Sequence, residues 1–217
     1  MIVNIVNLVG WQEIEELPHS QYACYYCDSW SLAFAFRAAG VEDYYRLPGS
    51  EVARSLIGLS PYECTFLTPS ELSLRTGAHQ YVLPMLTSEE PDYDRIKNLC
   101  RGRKFLIIGI SSPAQNMLAE KIAMQNPEIK IFCIGAMIFQ FSAERNSLRA
   151  MSVLSALRLE FIYHLLSSPI RTIKKMRTII SQLWLIMVLK SYRRKFISYS
   201  LRFQRSKNVS PRDLLSI

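Results

Sequence analysis

The sequence predicts an α/β protein in which a parallel sheet with flanking helices occupies residues 1–145 and a helical, basic appendage occupies 146–217. Three observations predict it. Short β-branched runs alternate with stretches of helical period, and the interval 104–135 reads as strand, turn, helix and strand. After Ser147 the pattern turns helical and then strongly basic. The composition, 49% hydrophobic and 20% charged over 217 residues, supports a buried core and excludes wholesale disorder.

In chain order, residues 2–9 read as a buried strand ending at Gly10, and residues 22–27 as a second strand followed by Asp28-Ser29. Residues 30–39 form a helix closed by Gly40, a residue suited to the left-handed C-cap. A strand that meets a polar residue and then turns into a helix is the site-building unit of α/β folds. Residues 62–67 are a candidate third strand, while 68–100 carry no clear period and include the loop-like SEEPDYD. KFLIIGI, over 104–110, is the clearest strand. A helix over 115–125, a break at Pro127 and a strand over 129–135 complete a right-handed crossover, the signature of a Rossmann-like sheet. One helix is expected over 147–167 and a second, basic one over 170–199.

The net charge of +8 is unevenly placed. Residues 161–217 hold twelve Lys or Arg and a single acid, Asp213, whereas residues 1–160 hold fourteen bases and seventeen acids. An anionic partner would therefore meet the tail. The five cysteines, an odd number at irregular spacing, do not read as a disulfide framework. Cys24 and Cys27 form a lone CxxC, with ordinary buried cysteine as the simpler reading. No secretory signal is visible at the start, so a cytoplasmic location is expected.

Three segments, in order, resemble the WecG/TagA/CpsF glycosyltransferase family. The first is Asp28 at a strand end, then a helix, Gly40 and Arg46-Leu47-Pro48-Gly49-Ser50. The second is Gly109-Ile110-Ser111-Ser112-Pro113-Ala114-Gln115-Asn116. The third is Arg149-Ala150-Met151, Leu159-Glu160-Phe161-Ile162-Tyr163-His164-Leu165 and Pro169-Ile170-Arg171. The chain departs from the family pattern at Ser29, Ala114, Asn116, Phe139, Met151 and His164, and only Asn4 or Asn7 stands for the family's Thr/Asn strand. The resemblance implies a transferase of bacterial cell-envelope polysaccharide biosynthesis. It would move a sugar from a UDP-sugar to a polyprenyl-diphosphate-linked acceptor, with inversion and with no metal or other cofactor.

Such a transfer needs a base for the acceptor hydroxyl and cations or donors for the departing diphosphate. Asp28 is the candidate base, or else the N-cap of the helix beginning at Trp30. Gln115, at a helix start after the strongest strand, is either a ligand contact or a solvated first-turn residue. Arg46, Gly49 and Arg171 are candidate substrate-binding residues, the guanidiniums being suited to phosphate oxygens. Glu160 lies on an apolar helical face and needs a partner, structural or functional. Asp92-Tyr93-Asp94 matches a DxD motif but reads as a solvated loop. The three histidines lack metal-ligand spacing.

The run 179–189 is too short to span a bilayer, which takes about twenty apolar residues. Ile170, Ile173, Ile180, Leu183 and Met187 share one face of a helix, with Trp184 as an interfacial anchor. Lys174, Lys175, Arg177, Arg193, Arg194 and Lys195 would meet an anionic membrane surface on its cytoplasmic side. A docked helix with a solvated basic face is the plain alternative. The interleaved Tyr192, Phe196, Tyr199 and Phe203 would also suit single-stranded nucleic acid, although no nucleic acid is expected as partner.

Overall fold

The computed structural model describes residues 1–8, 10–15, 17, 20–41, 47, 49–57, 59, 61–72, 79–83, 91–135, 169–203 and 215. Among these, β1 (Ile2–Val6), β2 (Ala23–Cys27), β3 (Cys64–Thr68), β4 (His79–Val82), β5 (Phe105–Ile108) and β6 (Lys130–Cys133) form one sheet. All its neighbours are parallel, in the order β2-β1-β6-β5-β3-β4. The fold is α/β and Rossmann-like, as the alternating pattern predicts.

Side chains alternate across the sheet and divide the core. Ile2, Leu106, Ile108 and Ile131 point to one face, where α4 (Tyr93–Cys100) contributes Ile96 and α5 (Ala114–Gln125) contributes Leu118 and Ile122. Val3, Phe66, Phe105, Ile107 and Phe132 point to the other, where α3 (Gly49–Ile57) contributes Val52 and Leu56. Burial on both faces is why β5 reads FLII, apolar at every position. The connections β1→β2, β4→β5 and β5→β6 all step the same way across the sheet and carry α1 (Trp11–Glu15), α4 and α5 on one face. The step β2→β3 runs the opposite way; it carries α2 (Trp30–Ala38), packed with α1, and then α3 on the other face.

Local signals explain the boundaries. Ser29 is the N-cap of α2 (Trp30–Ala38), its side chain accepting from Leu32 N at 3.2 Å, and Gly40 ends the helix at φ +79. β3 starts later than the apolar run suggests, because Pro61–Glu63 turn as a 3-10 helix. The unreadable interval 68–100 holds β4 and α4. The DxD segment is not a loop: Asp92 caps α4, its carboxylate accepting from Arg95 N at 2.9 Å, and Tyr93 and Asp94 form the first turn.

The single basic helix expected over 170–199 is two helices, α6 (Pro169–Val188) and α7 (Lys190–Ser200). Leu189 between them is extended, at φ −95 and ψ 109. No Gly or Pro marks that break. It lets α7 turn Phe196 and Tyr199 into a third cluster with Trp11, Phe36 and Ile186, with ring centroids 5.0 Å apart for Trp11–Phe196. Phe203 then bridges Tyr25 beside the outer edge of β2. The helix expected over 147–167 lies outside the described residues.

Candidate site at the carboxyl edge of the sheet

In a parallel sheet every strand delivers its last residue to one edge, so Asp28, after β2, and the turn leading to Gln115, after β5, share that edge. The register is close. Val6 pairs with Cys27 and Asn4 with Cys133, so extending both ladders sets Asp28 level with Asn7 and Gly135 level with Val6. Gln115 reaches across to β6, where its Oε1 accepts from Gly135 N at 3.1 Å. The β6 end lies two strand positions from β2, roughly 10 Å at ordinary strand spacing.

Asp28 does not cap the helix that follows it; Ser29 does. The Asp28 carboxylate instead accepts from Gly49 N at 2.7 Å, across twenty-one residues, at the first turn of α3. A helix start leaves its amides without partners and carries partial positive charge, which suits a carboxylate. Gly49 and Asp28 are thus brought together. Arg46 and Glu160 lie outside the described residues, as does Phe139. Arg171 falls in α6, with only its backbone described.

Gln115 is not solvated: it is 6% exposed. Beside it Asn116 donates from Nδ2 to Asn4 Oδ1 at 2.6 Å and accepts from Ser112 Oγ at 2.5 Å. Asn4 is 2% exposed, in the middle of β1. A buried amide there needs a partner, and α5 supplies it. Asn4, Ser112, Asn116 and Gly135 complete the edge around Gln115. The signal that could have assembled them was the polar residue inside the otherwise apolar IVNIV. Asn7, by contrast, shapes the next turn, its Oδ1 accepting from Gly10 N at 3.2 Å. The result is a row of buried neutral amides and a hydroxyl bonded to one another, with the Asp28 carboxylate at its β2 end.

Strand geometry separates the CxxC pair, which points Cys24 to the α3 face and Cys27 to the other. Among the described residues no group of three His, Cys, Asp or Glu side chains is placed to hold a metal.

Several tail cations have partners within the chain. Arg193 donates from Nε and Nη2 to Ala39 O, at 3.2 and 3.0 Å, where α2 ends. Arg202 Nη1 donates to Ile14 O and Leu17 O, both at 3.1 Å, at the end of α1. Lys195 Nζ lies 2.7 Å from Glu15. Cations at helix C-termini are favourable, and these fasten α7 to α1 and α2. Lys174, Lys175, Arg177, Lys190 and Arg194 are exposed. On α6, Ile170, Ile173, Ile180, Trp184 and Met187 form an exposed apolar stripe, whereas Leu183 is half-buried. Among the described residues no helix is long and apolar enough to cross a membrane.

Fold and site together define a parallel α/β protein with a polar carboxyl edge and a basic helical flank. No protein-family model, curated protein or solved structure matches the chain.

Proposed function

We propose that the chain is an inverting, metal-independent glycosyltransferase of the WecG/TagA/CpsF type, working on the cytoplasmic surface of a membrane. It transfers a sugar from a UDP-sugar to a polyprenyl-diphosphate-linked acceptor in polysaccharide assembly. The observation that supports this reading is that Asp28, after β2, and Gly135, after β6 and bonded to Gln115 Oε1, end at the same edge of the sheet, two strand positions apart. In the reaction Asp28 takes the proton of the acceptor hydroxyl. That oxygen forms a bond to the sugar's anomeric carbon as the bond to the UDP oxygen breaks. Gly49 N holds the carboxylate in place, Gln115 and its neighbours orient the donor, and Arg46 and Arg171 meet the departing diphosphate.

The exposed apolar stripe of α6 lies in the interface, and Lys174, Lys175, Arg177 and Arg194 face anionic headgroups at about 1 kcal/mol each before screening. The tail aromatics favour this over nucleic acid, since Phe196 and Tyr199 of α7 and Phe203 beyond it are core residues and no base can stack on them. A second reading, a relative that binds a UDP-sugar without turning it over, draws on Asn116, a neutral amide tied to Asn4 and Ser112 where the family has Glu.

A thermal-shift series with UDP-sugars, followed by a transfer assay on a lipid-linked acceptor, tests both readings. A stabilising UDP-sugar with transfer supports the enzyme. A stabilising UDP-sugar without transfer leaves the binding relative, and no shift with any UDP-sugar ends both.

A further inference from the structure

α2 buries Leu32, Ala35 and Phe36 against the third cluster and turns the opposite face outward. That outward face carries Trp30, 47% exposed, and Phe34, 55% exposed, at i and i+4, with Arg37 a turn later. Two large aromatics a turn apart on a surface helix are an interaction patch rather than scattered exposure. Its place is informative. α2 begins directly after Asp28, so Trp30 stands at the carboxyl edge, and α2 packs beside α6, whose apolar stripe is also exposed. Between Pro169 and Phe203 there are nine Lys or Arg and no acid.

We propose that the Trp30–Phe34 face of α2 is a second contact with an anionic bilayer, one that turns the Asp28 end of the sheet edge toward the lipid surface. The inference rests on the membrane-surface reading above and adds to it the orientation of the site. Indole and phenyl rings suit the headgroup boundary, where an apolar body and, for Trp, a polar edge are both accommodated. Charge decides among occupants. Arg37, α6 and α7 carry basic side chains and no acid, so a second copy docked face to face there would bring like charges together. The aliphatic stripe of α6 matches acyl chains and offers nothing to the hydrogen-bonding edges of nucleic-acid bases.

The test uses the full chain carrying Trp184→Phe, in which Trp30 is the exposed indole and Trp11 a buried, constant background. With phosphatidylglycerol vesicles, Trp30 emission should shift to the blue and be quenched by doxyl-labelled lipid. In the otherwise natural chain, Trp30→Ala with Phe34→Ala should weaken vesicle partition roughly tenfold, circular dichroism being unchanged. A protein that floats with the vesicles while Trp30 emission stays as in water overturns this contact and spares the α6 anchor. Failure to float at all overturns both. If the double variant abolishes self-association in sedimentation and leaves flotation intact, the patch belongs to a second copy and the proposal is wrong.

Discussion

Asp28 has two separable duties, and one substitution tells them apart. Its Oδ1 accepts from Gly49 N, a bond that Asn can keep and Ala cannot. Asp28→Asn should therefore leave the melting temperature near that of the natural chain and lower transfer about a hundredfold or more. Asp28→Ala should also destabilise by about 1.5–3 kcal/mol, the range for a hydrogen bond to a charged group. Equal transfer rates for Asp28→Asn and the natural chain would remove Asp28 as the base. Asn116→Ala strands Asn4 Oδ1 in the core, and urea unfolding should show a loss of about 1–3 kcal/mol. Tyr199 presents the reverse case. Its buried hydroxyl has no hydrogen-bond partner among the described residues, so Tyr199→Phe should leave stability unchanged or raise it by about 1 kcal/mol. A clear loss would reveal an acceptor for that hydroxyl.

Among the elements, the buried cysteines of the sheet and its helices set the alkaline limit. Burial pushes the thiols of Cys64, in β3, and Cys100, at the end of α4, up to about 11, and pushes Cys133, in β6, higher still. In the unfolded chain a thiol ionises near 8.5. Below that pH both states hold the proton and the thiols add no slope. Above it the unfolded state releases protons that the native state retains, so stability falls as pH rises from about 8.5 toward 11. Each thiol contributes up to about 1.4 kcal/mol per pH unit in that window. Urea melts at pH 7, 8, 9 and 10 should show this slope, and Cys64→Val with Cys100→Val should reduce it, leaving the share of Cys133.

The end of α2 carries a second element-scale prediction. Gly40 sits at φ +79, and a Cβ there would lie 3.3 Å from Arg193 Nη2. Gly40→Ala should cost more than 1 kcal/mol, through backbone strain and a disturbed cap on Ala39 O. Arg193→Ala should lose a similar amount without the strain, because it removes two hydrogen bonds to that carbonyl.

For the whole molecule, the tail is part of the core. Ile186, Phe196, Tyr199 and Phe203 are buried with Trp11 and Phe36, so a chain ending at Pro169 would expose that cluster. Truncation is therefore a poor test of membrane attachment. Ile173→Asn with Ile180→Asn alters only the exposed stripe, and flotation with anionic vesicles should fall at least tenfold with the melting temperature kept. Unchanged flotation in that variant would remove the α6 anchor.

Sequence alone carried a good part of this protein. Short apolar runs such as FLII, bounded by turn residues, suit strands covered on both faces, and Gly40 marks a helix end through its own chemistry, so β5, β6 and the end of α2 were legible, whereas the cap at Ser29 was not. The charge asymmetry needed only counting. Tertiary structure decided the rest, because the forces there act between residues distant in the chain. Leu189 breaks a helix with no local breaker, since Phe196 and Tyr199 gain burial against Trp11 and Phe36. Asp28 prefers an amide twenty-one residues away to the helix beside it. Gln115 and Asn116, polar residues in a first helical turn, are buried because Gly135 and Asn4 meet them there. A single chain's spacing cannot encode such pairings, for a hydrogen bond depends on position in space and the sheet sets that position.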